Sequence, residues 1–269
     1  MSNRIEKKFI NLGKENKKAL VCFITSGDPN LSISEKILSL LSDGGADIIE
    51  IGLPFSDPMA DGPTIQKSSQ RAIKQGANIF STLEMVNRLR KKDNVTPIIL
   101  MGYFNPMFQF GLNKFFLQAS KVGVDGLIIV DLPPEENELV EEISRKFKID
   151  IIRLLTPTTD KNRLKRILKS TTGFLYYISI MGITGTKKPA IQMVNKAVKQ
   201  IKKNTNLPVV VGFGINNSKQ VKDINKIADG CVIGSVLVRI IEDFSMGKIS
   251  KEKMYKNLNN FLQQIKKAC

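Results

Sequence analysis

Short, continuous apolar runs alternate with amphipathic ones along the sequence, and eight of the apolar kind can be counted. Continuous rather than alternating polarity marks strands buried on both faces, as in a parallel sheet covered by helices. The length of 269 residues suits a closed ring of such units, which behaves as one domain near ~250 residues. The predicted fold is therefore α/β: a single-domain (β/α)8 TIM barrel over residues 1–269, with an extra N-terminal helix. An open doubly wound sheet is the competing arrangement, but no GxGxxG follows the first strand.

The strands, in order, are ALVCFIT (19–25), ADIIEIG (46–52), TPIILMGY (96–103), DGLIIVD (125–131), DIIRLLT (150–156), FLYYIS (174–179), PVVVGFG (208–214) and DGCVIGS (229–235). The extra helix is expected at about 3–16, before the first of them. LSISEKILSLLSDGG sets Ile33, Ile37, Leu38 and Leu41 on one face and stops at glycines. After the second strand LPFSDPMADGPTIQ reads as a proline-stiffened loop. NKFFLQASKVG forms a helix before the fourth strand. PPEENELVEEISRKF opens with prolines and acids and closes with bases, matching the helix dipole. DKNRLKRILKSTTG carries an Asp cap and a Gly stop. AIQMVNKAVKQIKKN and NSKQVKDINKIA precede the last two strands, VLVRII follows the eighth, and SKEKMYKNLNNFLQQIKKAC ends the chain as a helix.

Composition narrows the chemistry. Apolar residues at 42% and charged ones at 25% support a large core. Histidine is absent, which excludes Ser-His-Asp and Cys-His catalysis and His-ligated metals. The cysteines, Cys22, Cys231 and Cys269, are odd in number and far apart, so neither a disulfide framework nor a CxxC metal site is expected. That favours a reducing compartment. The first twenty residues lack the apolar run of a signal peptide, and no stretch reaches the ~18 apolar residues of a membrane span. A cytoplasmic protein is expected. The net charge of +16 comes mostly from lysine pairs such as Lys7-Lys8 and Lys202-Lys203. A nucleic-acid surface is one reading. Without an Arg-rich block or basic-aromatic patch, solvated helix faces are the better one, so neither nucleic acid nor membrane is expected as a partner.

In such a barrel, chemistry sits at the C-terminal ends of the strands. Glu50 lies among Ile48, Ile49 and Ile51. A carboxylate there is costly unless paired or neutral, and desolvation moves its pKa towards acid–base use. Pairing with Arg153, the one basic residue in the eight strands, is the structural alternative. Asp61 precedes Gly62 in the following loop and reads as a reactive acid or as a turn residue or cap. Asp131 ends the fourth strand, either orienting a neighbour or capping the helix after it. Glycines cluster after strands six, seven and eight: Gly182 and Gly185 beside Thr184, Gly212 and Gly214, and Gly234 before Ser235. Exposed backbone N–H groups and a helix N-terminus there suit an anion. No strand contains lysine, which counts against a Schiff-base aldolase, and no carboxylate cluster suggests a metal.

With these residues assembled, the chain resembles the tryptophan synthase α-subunit family. The matching segments are FITSGDP, ADIIEIGLPFSDPMADGPTIQ, DGLIIVDLP, MGITGTK, PVVVGFGI and ADGCVIGS, in order over nearly the whole chain. The resemblance implies cleavage of indole-3-glycerol phosphate, with Glu50 and Asp61 as catalytic acids. It implies that Phe23, Tyr103, Leu154, Tyr176 and Phe213 wall an indole pocket, and that Gly185, Gly214, Gly234 and Ser235 hold the phosphate. Thr184 should close over the substrate and hydrogen-bond Asp61. It further implies a β subunit carrying pyridoxal phosphate, in an α2β2 assembly, touching Pro54, Asp57, Asn105 and Asp131; no cofactor is expected in this chain. Three positions depart from the family pattern. Ile180 replaces a usual basic residue. Arg153 stands where an apolar residue is usual and should point away from the lumen. Gly102 should loosen the pocket wall.

Overall fold

The computed structural model describes residues 3–179, 191–212 and 214–269. Their strands are β1 (Ala19–Thr25), β2 (Ile48–Gly52), β3 (Ile98–Gly102), β4 (Gly126–Ile129), β5 (Asp150–Ile151), β6 (Arg153–Leu155), β7 (Leu175–Ile178), β8 (Val209–Gly212) and β9 (Gly230–Ile233). All pair in parallel, in the order β5-β4-β3-β2-β1-β9-β8-β7-β6. The strands at the two ends are one run of sequence interrupted at Ile152. Its first half pairs with β4 and its second half with β7. The run therefore spans both edges and nearly closes the ring into a TIM barrel. The eight predicted strands are all present, the fifth divided in two.

The helices are α1 (Arg4–Lys14), α2 (Leu31–Asp43), α3 (Pro63–Lys74), α4 (Ile79–Arg90), α5 (Phe104–Phe110), α6 (Leu112–Val122), α7 (Glu138–Phe147), α8 (Lys161–Ser170), α9 (Ile191–Lys202), α10 (Ser218–Asn225), α11 (Ser235–Ser245) and α12 (Lys251–Lys266). Several begin at a side-chain cap. Asn3, Asn30, Asp160, Asn217 and Ser250 each accept a backbone N–H three residues on. Between β2 and β3, where the sequence pattern marks only a loop, the chain folds into α3 and α4. Their signals are local: Pro63 at the first turn of α3 after Gly62, and a capping box of Asn78 with Ser81 at α4. The helix expected from Pro133 starts later. Pro134–Glu136 is a 3-10 turn and α7 begins at Glu138. None of the described helices is long and apolar enough to cross a membrane.

Alternation in the strands makes two cores. Outward residues pack under the helices. Inward ones fill the barrel axis: Val21, Ile48, Ile99, Ile128, Ile152, Phe174, Val210 and Val232. Ile5 of α1 joins this inner cluster fully buried, and Phe9 stacks on Phe174 with centroids 5.7 Å apart. The extra N-terminal helix thus closes the end of the barrel where strands begin.

At the closed end, a repeated device pins the strands. Asp47, Asp125 and Asp229 each precede a strand and accept the N–H of a neighbouring strand: Leu20, Ile98 and Val209, at 2.8–2.9 Å. Each also meets a cation from a helix. Lys266 reaches Asp47 at 2.6 Å, Lys202 reaches Asp229 at 2.7 Å, and Arg4 and Arg90 reach Asp125 at 2.9 and 2.8 Å. Arg90 and Asp125 are both buried. Removing one partner of a buried pair leaves the other charge uncompensated. Asp125→Ala is therefore expected to cost ~3–5 kcal/mol, read from the midpoint of urea unfolding.

Candidate active site

Strand β2 turns Ile49 and Ile51 towards the helices and Ile48 and Glu50 towards the axis. Glu50 is 1% exposed, and its Oε2 has no hydrogen-bond partner among the described residues. Arg153 does not pair with it. Between the inward Ile152 and Leu154, Arg153 points away from the lumen and donates through Nη1 to the Leu132 carbonyl at 2.9 Å. Burial pushes the Glu50 carboxyl up to about 8, and the negative charge of Asp61 adds to the effect.

Asp61 lies in the loop between β2 and α3, half-buried. Burial raises its pKa, and the hydrogen bond that the Tyr103 hydroxyl donates to its Oδ2 at 3.1 Å opposes that. The same hydroxyl accepts the Ala60 N–H at 2.9 Å, and Gln66 Nε2 donates to the Asp61 carbonyl at 2.9 Å. Tyr103, expected as a pocket wall, thus also anchors the loop through its oxygen. Behind it, α3 is tied to the barrel. Arg71 makes two 2.8 Å hydrogen bonds to the buried carboxylate of Asp28, and Thr25 Oγ1 lies 2.6 Å from Ser68 Oγ.

Glu50 and Asp61 line one cavity of about 330 Å³. Phe23 and Tyr176 line it as well, with Ile65, Met101, Ile178 and Val232 completing an apolar wall. Glycines make room for the rings. A Cβ at Gly52 would lie 2.7 Å from the Phe23 ring, and one at Gly212 2.9 Å from that of Tyr176. Gly212, grouped with the anion-binding glycines in the sequence, instead borders the aromatic wall. At the other end of the cavity stand Gly214, with φ of +60°, Gly234, and Ser235 at the first turn of α11. Free N–H groups at a helix start favour an anion there. Arg239, one turn along α11, also borders the cavity.

Some expected wall residues sit elsewhere. Leu154 packs on the inner apolar cluster and does not line this cavity; Tyr103 faces an adjoining crevice shared with Asp61. Gly102 permits close packing rather than loosening the wall: a Cβ there would stand 3.0 Å from the Leu53 side chain and 3.3 Å from Met107. Thr184, Gly185, Phe213, Gly182 and Ile180 lie outside the described residues. Ile65, Met101, Asn216 and Arg239 were not singled out from sequence. Met101 was legible, being two residues after the inward Ile99, and Arg239 as one turn beyond Ser235.

Around the mouth, Asp57, Asn105 and Asp131 are exposed and Pro54 is half-buried. Asp131 accepts the Phe104 N–H at 2.7 Å, so it ties the loop after β4 to the start of α5 rather than capping its own following segment. Met59 and Phe108, 79% and 55% exposed, add apolar surface on the loop before α3 and on α5.

The Glu50 environment has a measurable signature. Its proton is held far above the ~4.3 of an unperturbed Glu, so the stability it confers is full below that value and falls as pH rises through about 8. Relative to the native chain, Glu50→Gln is expected to gain in urea midpoint between about pH 5 and pH 9. An unchanged difference across that range would contradict the buried, unpaired carboxyl.

Comparison with known proteins gives one consistent result. The sequence model of the family described as "Tryptophan synthase alpha chain" matches residues 9–269. The tryptophan synthase alpha chain of Geotalea uraniireducens (strain Rf4) is 46% identical over 242 residues, 90% of each chain. The crystal structure of tryptophan synthase subunit alpha from Legionella pneumophila str. Paris superposes with a TM-score of 0.91 at 35% identity, covering 100% of this chain and 98% of that one. An aminoacrylate-bound tryptophan synthase structure from M. tuberculosis aligns at 0.87 and 27% identity, covering 99% of both chains. The chain belongs to the tryptophan synthase alpha chain family, and with it to the enzymes of tryptophan biosynthesis.

Proposed function

We propose that this chain, as one catalytic domain in the cytoplasm, cleaves indole-3-glycerol phosphate to indole and glyceraldehyde 3-phosphate. The observation that carries this reading is a carboxyl group, Glu50, buried with its Oε2 unpartnered among the described residues, on the wall of a cavity that it shares with Asp61. A carboxyl group with its pKa near the working pH can give a proton and take one back.

In the proposed sequence, Glu50 delivers its proton to C3 of the indole ring. That creates positive charge on the ring, stabilised by Asp61 near the indole N–H. The glycerol hydroxyl then loses its proton to the Glu50 carboxylate. The C–C bond breaks, the aldehyde forms, and the bonding pair returns to the ring. Phe23 and Tyr176 would face the indole. Gly214, Gly234 and Ser235 would hold the phosphate through backbone N–H groups, with Gly185 completing the set. The loops carrying Asp61 and Thr184 would exclude water.

The indole would pass to a β subunit, whose pyridoxal phosphate supports its condensation with serine. The proposed assembly is an α2β2 heterotetramer with channelling and mutual activation, docked at Pro54, Asp57, Asn105 and Asp131. Family membership and the exposed polar and apolar residues at the barrel mouth support this partner.

The direct test is indole release from indole-3-glycerol phosphate, with and without a β subunit. Release that the β subunit accelerates is expected. Full turnover by the isolated chain without stimulation would point to a free-standing lyase, and no release would overturn the reading. Glu50→Gln and Asp61→Asn are each expected to lower the rate on the order of 10²-fold or more with near-native circular dichroism. Unchanged turnover in Glu50→Gln would remove it from the mechanism.

A further inference from the structure

The two ends of the cavity are carried by two helices that touch. Asp61 stands two residues before the start of α3, and Ser235 opens α11. The two helices pack against each other. On α11, Ser235, Arg239 and Glu242 recur at the spacing of one helix face, and on α3 Lys67 and Arg71 do the same. The helices are joined at Glu242, whose Oε1 lies 3.4 Å from Arg71 Nη1 and 4.0 Å from Lys67 Nζ. Arg71 also reaches a third element. Its Nε and Nη2 fork onto the two carboxylate oxygens of Asp28, both at 2.8 Å, in the loop after β1. The Asp28 carboxylate is fully buried, and the side chains of Arg71 and Glu242 are 18% and 15% exposed. One guanidinium therefore joins the barrel, the helix behind Asp61 and the helix that begins at the anion end. None of these three residues lines the cavity.

We propose that Arg71 is a positioning residue for the cleavage reaction: by holding α3 on Asp28 and Glu242 at once, it fixes Asp61 relative to the phosphate end of the cavity. The inference rests on the reaction proposed above. A substrate whose phosphate is held at the start of α11 presents its ring at a set distance from that helix. Asp61 can stabilise charge on the ring only if the helix on which its loop ends is fixed against α11, and an error of about 1 Å in such placement costs on the order of 10²-fold in rate. Ile65 of α3 lines the cavity too, so a shift of this helix would displace a wall together with the acid. The fork accounts for the residue type. Arginine gives two parallel bonds to one carboxylate and keeps a further N–H for a second, whereas lysine offers a point charge. Arg4 on Asp125, at 2.9 Å, is an ion pair of the opposite, closed end and serves as its counterpart there.

The test is a double-mutant cycle on indole release from indole-3-glycerol phosphate by the full chain, using Arg71→Lys, Asp61→Asn and the two combined. Arg71→Lys is expected to lower kcat about tenfold or more with a much smaller change in KM. Asp61→Asn, expected to cost on the order of 10²-fold in the native chain, should cost less than about tenfold in the Arg71→Lys chain, because the acid is then already misplaced. Glu242→Gln, which removes only the α11 arm, should show the same non-additivity with a smaller loss, and it keeps the test decisive where Arg71→Lys fails to fold. Arg4→Met is expected to leave kcat unchanged. Full additivity with Asp61→Asn, or an equal loss of kcat in Arg4→Met, would overturn the positioning role while leaving the reaction in place. No release by the native chain, or no loss in Asp61→Asn, would overturn the proposed reaction and this inference with it.

Discussion

A strand in a closed ring can point only every second side chain at the axis, and that constraint delivers Glu50 to a buried position on the cavity wall. Its neighbours Ile49 and Ile51 face the helices, while Ile48 supports it from below. The cavity at this end of the barrel has on its wall a carboxyl whose Oε2 has no partner among the described residues. The axis beneath it is filled with aliphatic and aromatic side chains, and α1 closes the far end with Ile5 and Phe9. Solvation of Glu50 from below is thereby prevented. Burial is consequently the main cause of its raised pKa, and the charge of Asp61 on the open side adds to it.

The second acid depends on a different kind of order. Asp61 is carried by a loop, and loops position charge only when tied down. Here the ties run in two directions. Tyr103 reaches from the end of β3 to bind both Ala60 and Asp61, and Gln66 closes the loop onto α3. The helix itself is held by Arg71 on Asp28, a residue of the FITSGDP segment after β1. Phe23 of that segment lines the cavity directly, while Asp28 serves it through the placement of α3. The two ends of the barrel divide the work. Asp47, Asp125 and Asp229 fasten strands to helices where the chain enters the sheet, and the ties of Tyr103 and Arg71 hold the opposite rim around the cavity.

The strands were legible because buried parallel strands read as continuous apolar runs, and Glu50 because a carboxylate in such a run is conspicuous. Helices α3 and α4 were less so: α3 is mostly polar and its signals are caps rather than a broad apolar face. The break at Ile152 was invisible, since it follows from one run having to pair with β4 and then β7. Leu154 shows the limit of residue type. Inward orientation follows from alternation, yet Leu154 lies level with Tyr176 and still does not line the cavity, because the cavity lies towards the other side of the ring.

The sequence by itself determined the fold class, the order of strands, and which acid would sit among isoleucines, because these rest on local polarity and its period. Tertiary structure alone decided that Glu50 Oε2 has no partner among the described residues, that Tyr103 binds Asp61, that Asp131 serves α5, and that Cys22 and Cys231 come onto adjacent strands. Each of those depends on distances between segments far apart in the chain, and only closure of the ring brings such segments together.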